Sequence, residues 1–411
     1  GGTTSGFAVA EQNQEIVTLG VFAQQRVAWR DKLFFTASLR GDDNSNFGTN
    51  LEFVTYPAAS LSWVVNEESW FPQLGWLSSL RLRAAAGQSG QRPGFRNAVT
   101  FYNTIAYRRS GSDLGGVELA NNVGNATLKP EKSTEFEGGL DIGLFKGRAS
   151  LERTAYNKTT RDALIQRNLP PSTGAATRFE NLGEVTNRGF EASLLTTLVD
   201  TRPLRLDLSV TGSTNRNRLV TRGAGVDTIF FGLGALDGNF SQRVAEGHPV
   251  GGYWQLPYTW SDANGDGIIR ASEVSLGENS AYLGSPLPSR EFSISPSLTL
   301  FGRVRMTALM NYRGGHRVYN AGSEFRCAVF VRCEEAYAPG SSLSLQARRV
   351  AGLLGTSAGY IEDASFWKLR EVSVAFDAPA DWARRLRASS LSLTLAGRNL
   401  ATWTDYTGFD P

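Results

Sequence analysis

The chain of 411 residues holds only two histidines and two cysteines, which leaves little for catalysis or metal binding. His248 and His316 lie too far apart in sequence for metal-ligand spacing. Gly355 to Gly359, GTSAG, matches the hydrolase elbow, but no histidine follows Ser357 and the order of that triad fails. No phosphate-cradling loop occurs, and the pair Glu334-Glu335 is ordinary surface charge. No catalytic or cofactor-binding residues are therefore assigned, and the chain is not read as an enzyme. No run of about 18 apolar residues appears, the apolar share is 41% and mean hydropathy is −0.24, which excludes membrane-spanning helices. The 42 basic and 39 acidic residues are scattered and leave a net charge of +3, unlike the clustered footprint of a nucleic-acid binder. The one tight cluster, Arg384-Arg385-Leu386-Arg387, reads as a solvated loop or turn. The opening GGTTSGF has neither the charged leader nor the apolar stretch of a signal peptide.

Period-two alternation is what the chain has in quantity. Leu33, Phe35, Ala37 and Leu39 alternate with Phe34, Thr36, Ser38 and Arg40, and Leu80, Leu82 and Ala84 with Arg81 and Arg83. Phe136 to Leu144 places Leu140, Ile142 and Leu144 against Glu135, Glu137 and Asp141. Leu204, Leu206, Leu208 and Val210 alternate with Arg205, Asp207 and Ser209; Val304, Met306, Ala308 and Met310 alternate with Arg303, Arg305 and Thr307. Near the end, Val372, Val374 and Phe376 share one face, as do Leu391, Leu393 and Leu395. Strands with one apolar face evade hydropathy scans yet cross a bilayer, because only alternate residues meet lipid. The 44 glycines, 11% aromatics and nine tryptophans suit such a wall with interfacial girdles. The expected fold is all-β: a large antiparallel transmembrane β-barrel, with residues 1–411 forming part of a single barrel domain. A soluble β-sandwich, propeller or solenoid shares this composition. Arginine is costly against lipid and comfortable in a hydrated lumen, so Arg81, Arg83, Arg205, Arg303 and Arg305 are expected to face inward. Stretches rich in Gly, Asn, Ser and Pro near 87–130, 223–288 and 314–359 read as long irregular loops at the outer end of the barrel, where function is expected.

Several ordered motifs carry a family likeness. They are FFTASLRGDDNSNFG from Phe34, LKPEKSTEFEGGLDIGLFKGRASLERTAYNKTTRDALI from Leu128 to Ile165, STGAATRFENLGEVTNRGFEASL from Ser172 to Leu194, and YIEDASFWKLREVSVAFDAP from Tyr360. LSLTLAGRNLATWTDYTGFDP closes the chain. Together they resemble the SusC/RagA-type TonB-dependent outer-membrane transporters. The resemblance implies a barrel of roughly 22 strands with a plugged lumen, set in outer-membrane lipid of a Gram-negative bacterium. It also implies import of oligosaccharides or peptides, a SusD-like surface lipoprotein over the mouth, and energy delivered by TonB through a plug. The plug and the closing strands are expected outside these residues. A non-transporting barrel serving adhesion or structure, or a soluble β-rich glycan-binding protein, are the alternatives; no nucleic-acid partner is expected.

Two local features remain. Asp262 to Glu273, DANGDGIIRASE, fits the D-x-(D/N)-x-(D/N)-G-x5-E calcium loop. Asp262, Asn264, Asp266, the carbonyl of Ile268 and Glu273 could ligate Ca2+ as a structural staple, with the turn at Gly267. Arg270 stands where a water-linked ligand often sits, and an Asx turn held by hydrogen bonds alone is the alternative. Cys327 and Cys333 lie in a stretch read as loop, and an oxidising exterior favours their pairing as a disulfide.

Overall fold

The computed structural model describes residues 13–47, 53–109, 112–120, 122–223, 228–234, 240–338 and 340–411. Its frame is one twelve-stranded sheet in which spatial order equals chain order. The strands are β1 (Thr18–Trp29), β2 (Leu33–Asn44), β3 (Val54–Val64), β4 (Leu77–Gln91), β5 (Glu131–Leu144) and β6 (Ala149–Arg161). They continue with β7 (Glu184–Asp200), β8 (Leu204–Thr221), β9 (Arg290–Leu300), β10 (Val304–Gly314), β11 (Phe366–Asp377) and β12 (Ser392–Thr404). Every neighbouring pair is antiparallel. The strands run from 11 to 18 residues, against about five or six in ordinary globular sheets and roughly ten needed to cross a bilayer.

The two ends of the sheet differ. At one end the hairpins close within residues 30–32, 145–148, 201–203 and 301–303, with a 3-10 turn at Val65–Glu67 after β3 and a short helix, Ala380–Arg385, after β11. Tight closure demands left-handed backbone, and Phe301 (φ 52°) with Gly302 (φ 65°) supplies it between β9 and β10. At the other end lie the long connections, residues 45–53, 92–130, 162–183, 222–289 and 315–365. The glycine at 87 belongs to β4, which continues to Gln91, so the first long loop is shorter than expected.

Register sorts the side chains onto two faces. One row joins Ile142, Leu151, Leu194, Val210, Ile294 and Met310 across six strands. On the opposite face Arg83, Gly139, Thr154, Glu191, Ser213, Glu291 and Arg313 align across seven. Large apolar side chains on the first face remain uncovered even in interior strands, with Leu61 43%, Phe136 58% and Phe190 52% exposed. A contiguous apolar face of this extent signals contact with something other than water.

The long connections are folded, which corrects the expectation of irregular loops. Residues 222–289 contain a four-stranded sheet of Ile229–Gly234, Phe240–Val244, Gly252–Gln255 and Ala281–Gly284, and a hairpin of Tyr258–Trp260 with Val274–Leu276. Residues 315–365 contain a helix, Leu343–Leu353. Ala347, Val350 and Ala351 of that helix bury themselves against Ile269 and Val274 of the preceding loop. A small apolar core thus joins the two largest connections into one platform.

Candidate functional site

The polar face of the wall is concave. A single cavity of about 430 Å3 touches Glu152 and Thr154 on β6, Glu191 on β7, Thr211 on β8, Glu291 on β9, Arg313 on β10 and Arg370 on β11. Six consecutive strands can line one cavity only if the sheet curves around it. A larger space of about 810 Å3 lies towards the long loops, between Tyr156, Asn215 and Asn217 of the wall and Pro249, Tyr282 and Leu287 of the 222–289 platform. Asn217 ties the two together by accepting the backbone N–H of Val250 at 2.8 Å.

Charges on this face are arranged as short pairs within the sheet. Arg83 donates from Nη2 to Asp141 Oδ1 at 2.7 Å and reaches Thr154 Oγ1 at 3.4 Å. Arg205 Nε lies 2.8 Å from Asp207 Oδ2, and Arg313 Nε 3.3 Å from Glu291 Oε2. Arg81 stands directly across from Asp141, and Arg305 between Thr299 and Ala375. Arg81, Arg83, Arg205 and Arg305 therefore share the polar face. Arg303 does not: it sits in the turn at residues 301–303, outside the strand to which the alternation assigns it. The carboxylates Glu152, Glu191 and Glu291 receive no role from sequence, although the first two lie within the motifs at 128–165 and 172–194 and the alternation in LERTAYNK and RGFEASLL places them on the polar face.

Above the wall, the platform is held by buried ionic contacts that sequence did not reveal. Arg348, 11% exposed, donates to Glu335 Oε1 at 3.1 Å and to Glu362 Oε1 at 3.4 Å, so Glu335 is a buried ion-pair partner and not the surface charge expected of the pair Glu334-Glu335. Its guanidinium carbon lies 4.8 Å from the centre of the Tyr360 ring. Burial pushes the Tyr360 hydroxyl up to about 12. Cys327 and Cys333 are joined in the same segment, with Cα atoms 5.0 Å apart. Ser357 is fully buried and donates to Glu324 Oε1 at 3.0 Å, a structural role rather than an exposed nucleophile. His248 packs between Trp254 and Tyr282, while His316 is buried near Phe366 and is held below the ordinary imidazole range by that burial. The arginine cluster at 384–387 ends the short helix after β11 and turns at Arg387 (φ 55°).

The loop from Asp262 to Glu273 adopts a closed turn. Asp262 accepts the backbone N–H groups of Asp266 and Gly267 at 3.2 and 3.0 Å, and Gly267 has φ 77°, where a Cβ would be strained. Glu273 accepts from Ala263 and Arg270 N–H at 3.1 and 3.0 Å. Gln346 of the platform helix accepts from Ile269 N–H and donates to the Gly267 carbonyl, fastening the loop from outside. Arg270 Nη1 lies 2.6 Å from Asp266 Oδ2 and 3.4 Å from the Ile268 carbonyl, on two of the five anticipated ligand positions. That guanidinium is the first cause holding the Asp266 carboxyl below its usual range.

A family model described as TonB dependent receptor-like, beta-barrel, matches residues 2–400. The chain belongs to that family. It is 27% identical over 431 aligned positions to the TonB-dependent receptor P26 of Formosa agariphila, covering 95% of this chain and 42% of that protein. It is 26% identical over 216 positions to the TonB-dependent receptor SusC of Bacteroides thetaiotaomicron, covering 51% of this chain and 21% of that one. Among solved structures, the RagAB peptide transporter superposes with a TM-score of 0.80 over 96% of this chain and 45% of its own, at 20% identity, which bears on fold alone. The twelve-stranded sheet of this TonB-dependent receptor is accordingly transmembrane barrel wall. The chain spans less than half the length of the curated relatives it matches.

Proposed function

We propose that these residues form wall and outer loops of a SusC-like TonB-dependent importer in the outer membrane of a Gram-negative bacterium, which takes up oligosaccharides or peptides. The observation that carries the reading is the pairing of a lipid-compatible face with a concave polar face, on a sheet whose long, folded connections all lie at one end. In this reading Arg81, Arg83, Arg205 and Arg305 line the lumen, a SusD-like lipoprotein seats on the 222–289 and 315–365 platform, and TonB acts through a plug. The cavity's mixture of carboxylates, guanidinium groups and hydroxyls suits ligands rich in hydrogen-bonding groups. Uptake of labelled oligosaccharides and peptides by cells carrying the intact protein should stop when the protein is deleted and when TonB is inactivated. Membrane insertion with unchanged uptake in the deletion strain would favour an adhesive or structural barrel. Solubility of the intact protein without detergent would favour the secreted glycan-binding alternative.

We further infer that the Asp262 loop takes Ca2+ only in competition with Arg270. Asp262, Asn264, Asp266, the Ile268 carbonyl and Glu273 offer the hard oxygens calcium requires, but the guanidinium already satisfies two of them. Calorimetric titration should show weak binding to the unaltered protein, in the millimolar range of extracellular modules, and binding several-fold tighter in Arg270→Ser. Absence of calcium heat from both proteins would end the proposal.

A further inference from the structure

The outward face carries a charge pattern that transport does not require. Phe292, Tyr312, Trp367 and Trp403 align in one row across β9 to β12, with ring centres 5.9 Å apart for the first pair and 4.9 Å for the second. This row lies towards the long-loop end, beyond the aliphatic row through Val210 and Ile294. One step further out on the same face stands Arg290 on β9, in a row with Thr214 on β8 and Phe190 on β7. Beyond Phe190 come Arg188 on β7 and Arg216 on β8, directly opposite one another. Arg218 follows Arg216 one step higher. All four arginines are exposed. From lower on β6, Arg153 lays its guanidinium 5.3 Å from the centre of the Phe190 ring.

Among the described residues these four arginines have no counter-ion. Among the described residues none of them forms an ion pair; Arg188 donates from Nε to Asn157 Oδ1 at 2.9 Å. The acidic side chains that register places on this face are Glu184, already paired with Arg161 at 3.0 Å, and Asp43, far off on β2. Arg290 stands one step above Phe292 of the aromatic row and Arg188 one step above Phe190, so the single-sign patch borders the girdle at headgroup depth, where Arg finds phosphate and where planar, forked donors suit it best. Water and monovalent salt screen the four exposed guanidinium groups in part, and an anion with several phosphate oxygens that bridges adjacent strands offsets their repulsion further.

We propose that Arg188, Arg216, Arg218 and Arg290 form a binding surface for the phosphate groups of an outer-leaflet glycolipid. The inference rests on the membrane orientation proposed above. Each arginine near an anionic lipid surface strengthens binding about fivefold, so neutralising three of them weakens it roughly a hundredfold.

The test uses the intact protein purified in detergent and titrated with phosphorylated lipid A, dephosphorylated lipid A and inorganic phosphate, read by native mass spectrometry. The unaltered protein should retain phosphorylated lipid A, release it at high salt, and ignore both the dephosphorylated form and free phosphate. The triple variant Arg188→Gln/Arg216→Gln/Arg290→Gln should lose it, while the Arg→Lys counterpart keeps most of it. Equal retention by the glutamine variant would overturn the proposal, as would equal binding of dephosphorylated lipid. So would release of a copurifying lipoprotein by that variant while lipid is retained. Heat-dependent gel mobility of the unaltered protein reconstituted in vesicles reports insertion separately. Failure there removes the membrane orientation itself, whereas insertion without lipid retention removes only the arginine collar.

Discussion

Val210→Lys in the intact protein should destabilise the inserted barrel by about 2–4 kcal/mol, the penalty for a cation at the lipid-facing midplane. Thr211→Lys, the adjacent substitution, should stay within about 0.5 kcal/mol, as surface changes do. At about 3.3 Å per residue and a tilt near 40°, Val210 stands roughly 15 Å above Leu204, close to the middle of an apolar band some 25 Å tall. Its neighbours in the row, Leu194 and Ile294, offer an ammonium group no partner. Thr211 faces the other way, into the cavity that holds Glu191 and Glu291. The contrast isolates the face from the strand, because the two substitutions share β8 and nearly the same height. Urea titration of the protein in lipid vesicles, followed by tryptophan fluorescence, measures both. In a sheet bathed by water on both faces a half-exposed lysine at 210 would cost little, so equal stabilities for the two variants would reject the lipid-facing assignment.

What sequence made legible follows from the distance over which each signal repeats. Leu33 to Leu39, Phe136 to Leu144, Leu204 to Val210 and Val304 to Met310 fall inside β2, β5, β8 and β10 with the faces that alternation assigns. Long strands write their two faces several times over, and barrel walls need long strands. Arg303 falls one step outside its strand because it keeps the parity of Thr299 and Arg305, and Val304 that of Leu300, across the turn; the positive φ at Phe301 and Gly302 ends the strand without shifting that parity. Leu391 likewise precedes β12, which starts at Ser392. The platform stays hidden in the sequence because its strands are short: Tyr258–Trp260 and Val274–Leu276 are too brief to show a period. Its helix buries Ala347 and Ala351, small residues that give a weak apolar stripe. The calcium-like spacing of Asp262 to Glu273 is readable residue by residue. The position of the Arg270 side chain over Asp266 is not, since it depends on a rotamer and on the turn that brings them together.

Arg348→Ala should leave the barrel inserted and unfold the platform above it. Glu335 and Glu362 are 7% and 11% exposed at their side chains, and Arg348 is the cation that pairs with both. The substitution strips them of it while both remain away from water. Removing one partner of a buried pair costs about 3–5 kcal/mol, most of it the penalty of the charge left behind. Amide exchange in residues 315–338 and 340–365 should therefore quicken by about two to four orders of magnitude, with residues 262–276 following because Ala347, Val350 and Gln346 hold them. Exchange in β8 and β9 should not change. The triple replacement Arg348→Met/Glu335→Gln/Glu362→Gln removes all three charges together and should recover most of the protection, since an apolar or neutral substitute for a buried pair is often no worse than the pair. This recovery separates the cost of a stranded charge from a loss of packing over Tyr360. Near-normal exchange in Arg348→Ala would show that the carboxylates find water in the folded platform. Equal disruption in the single and triple variants would instead assign the effect to the guanidinium's position over the Tyr360 ring. If the platform also seats the lipoprotein, uptake should fall with its protection while the amount of inserted barrel holds constant, a combination that general misfolding does not produce.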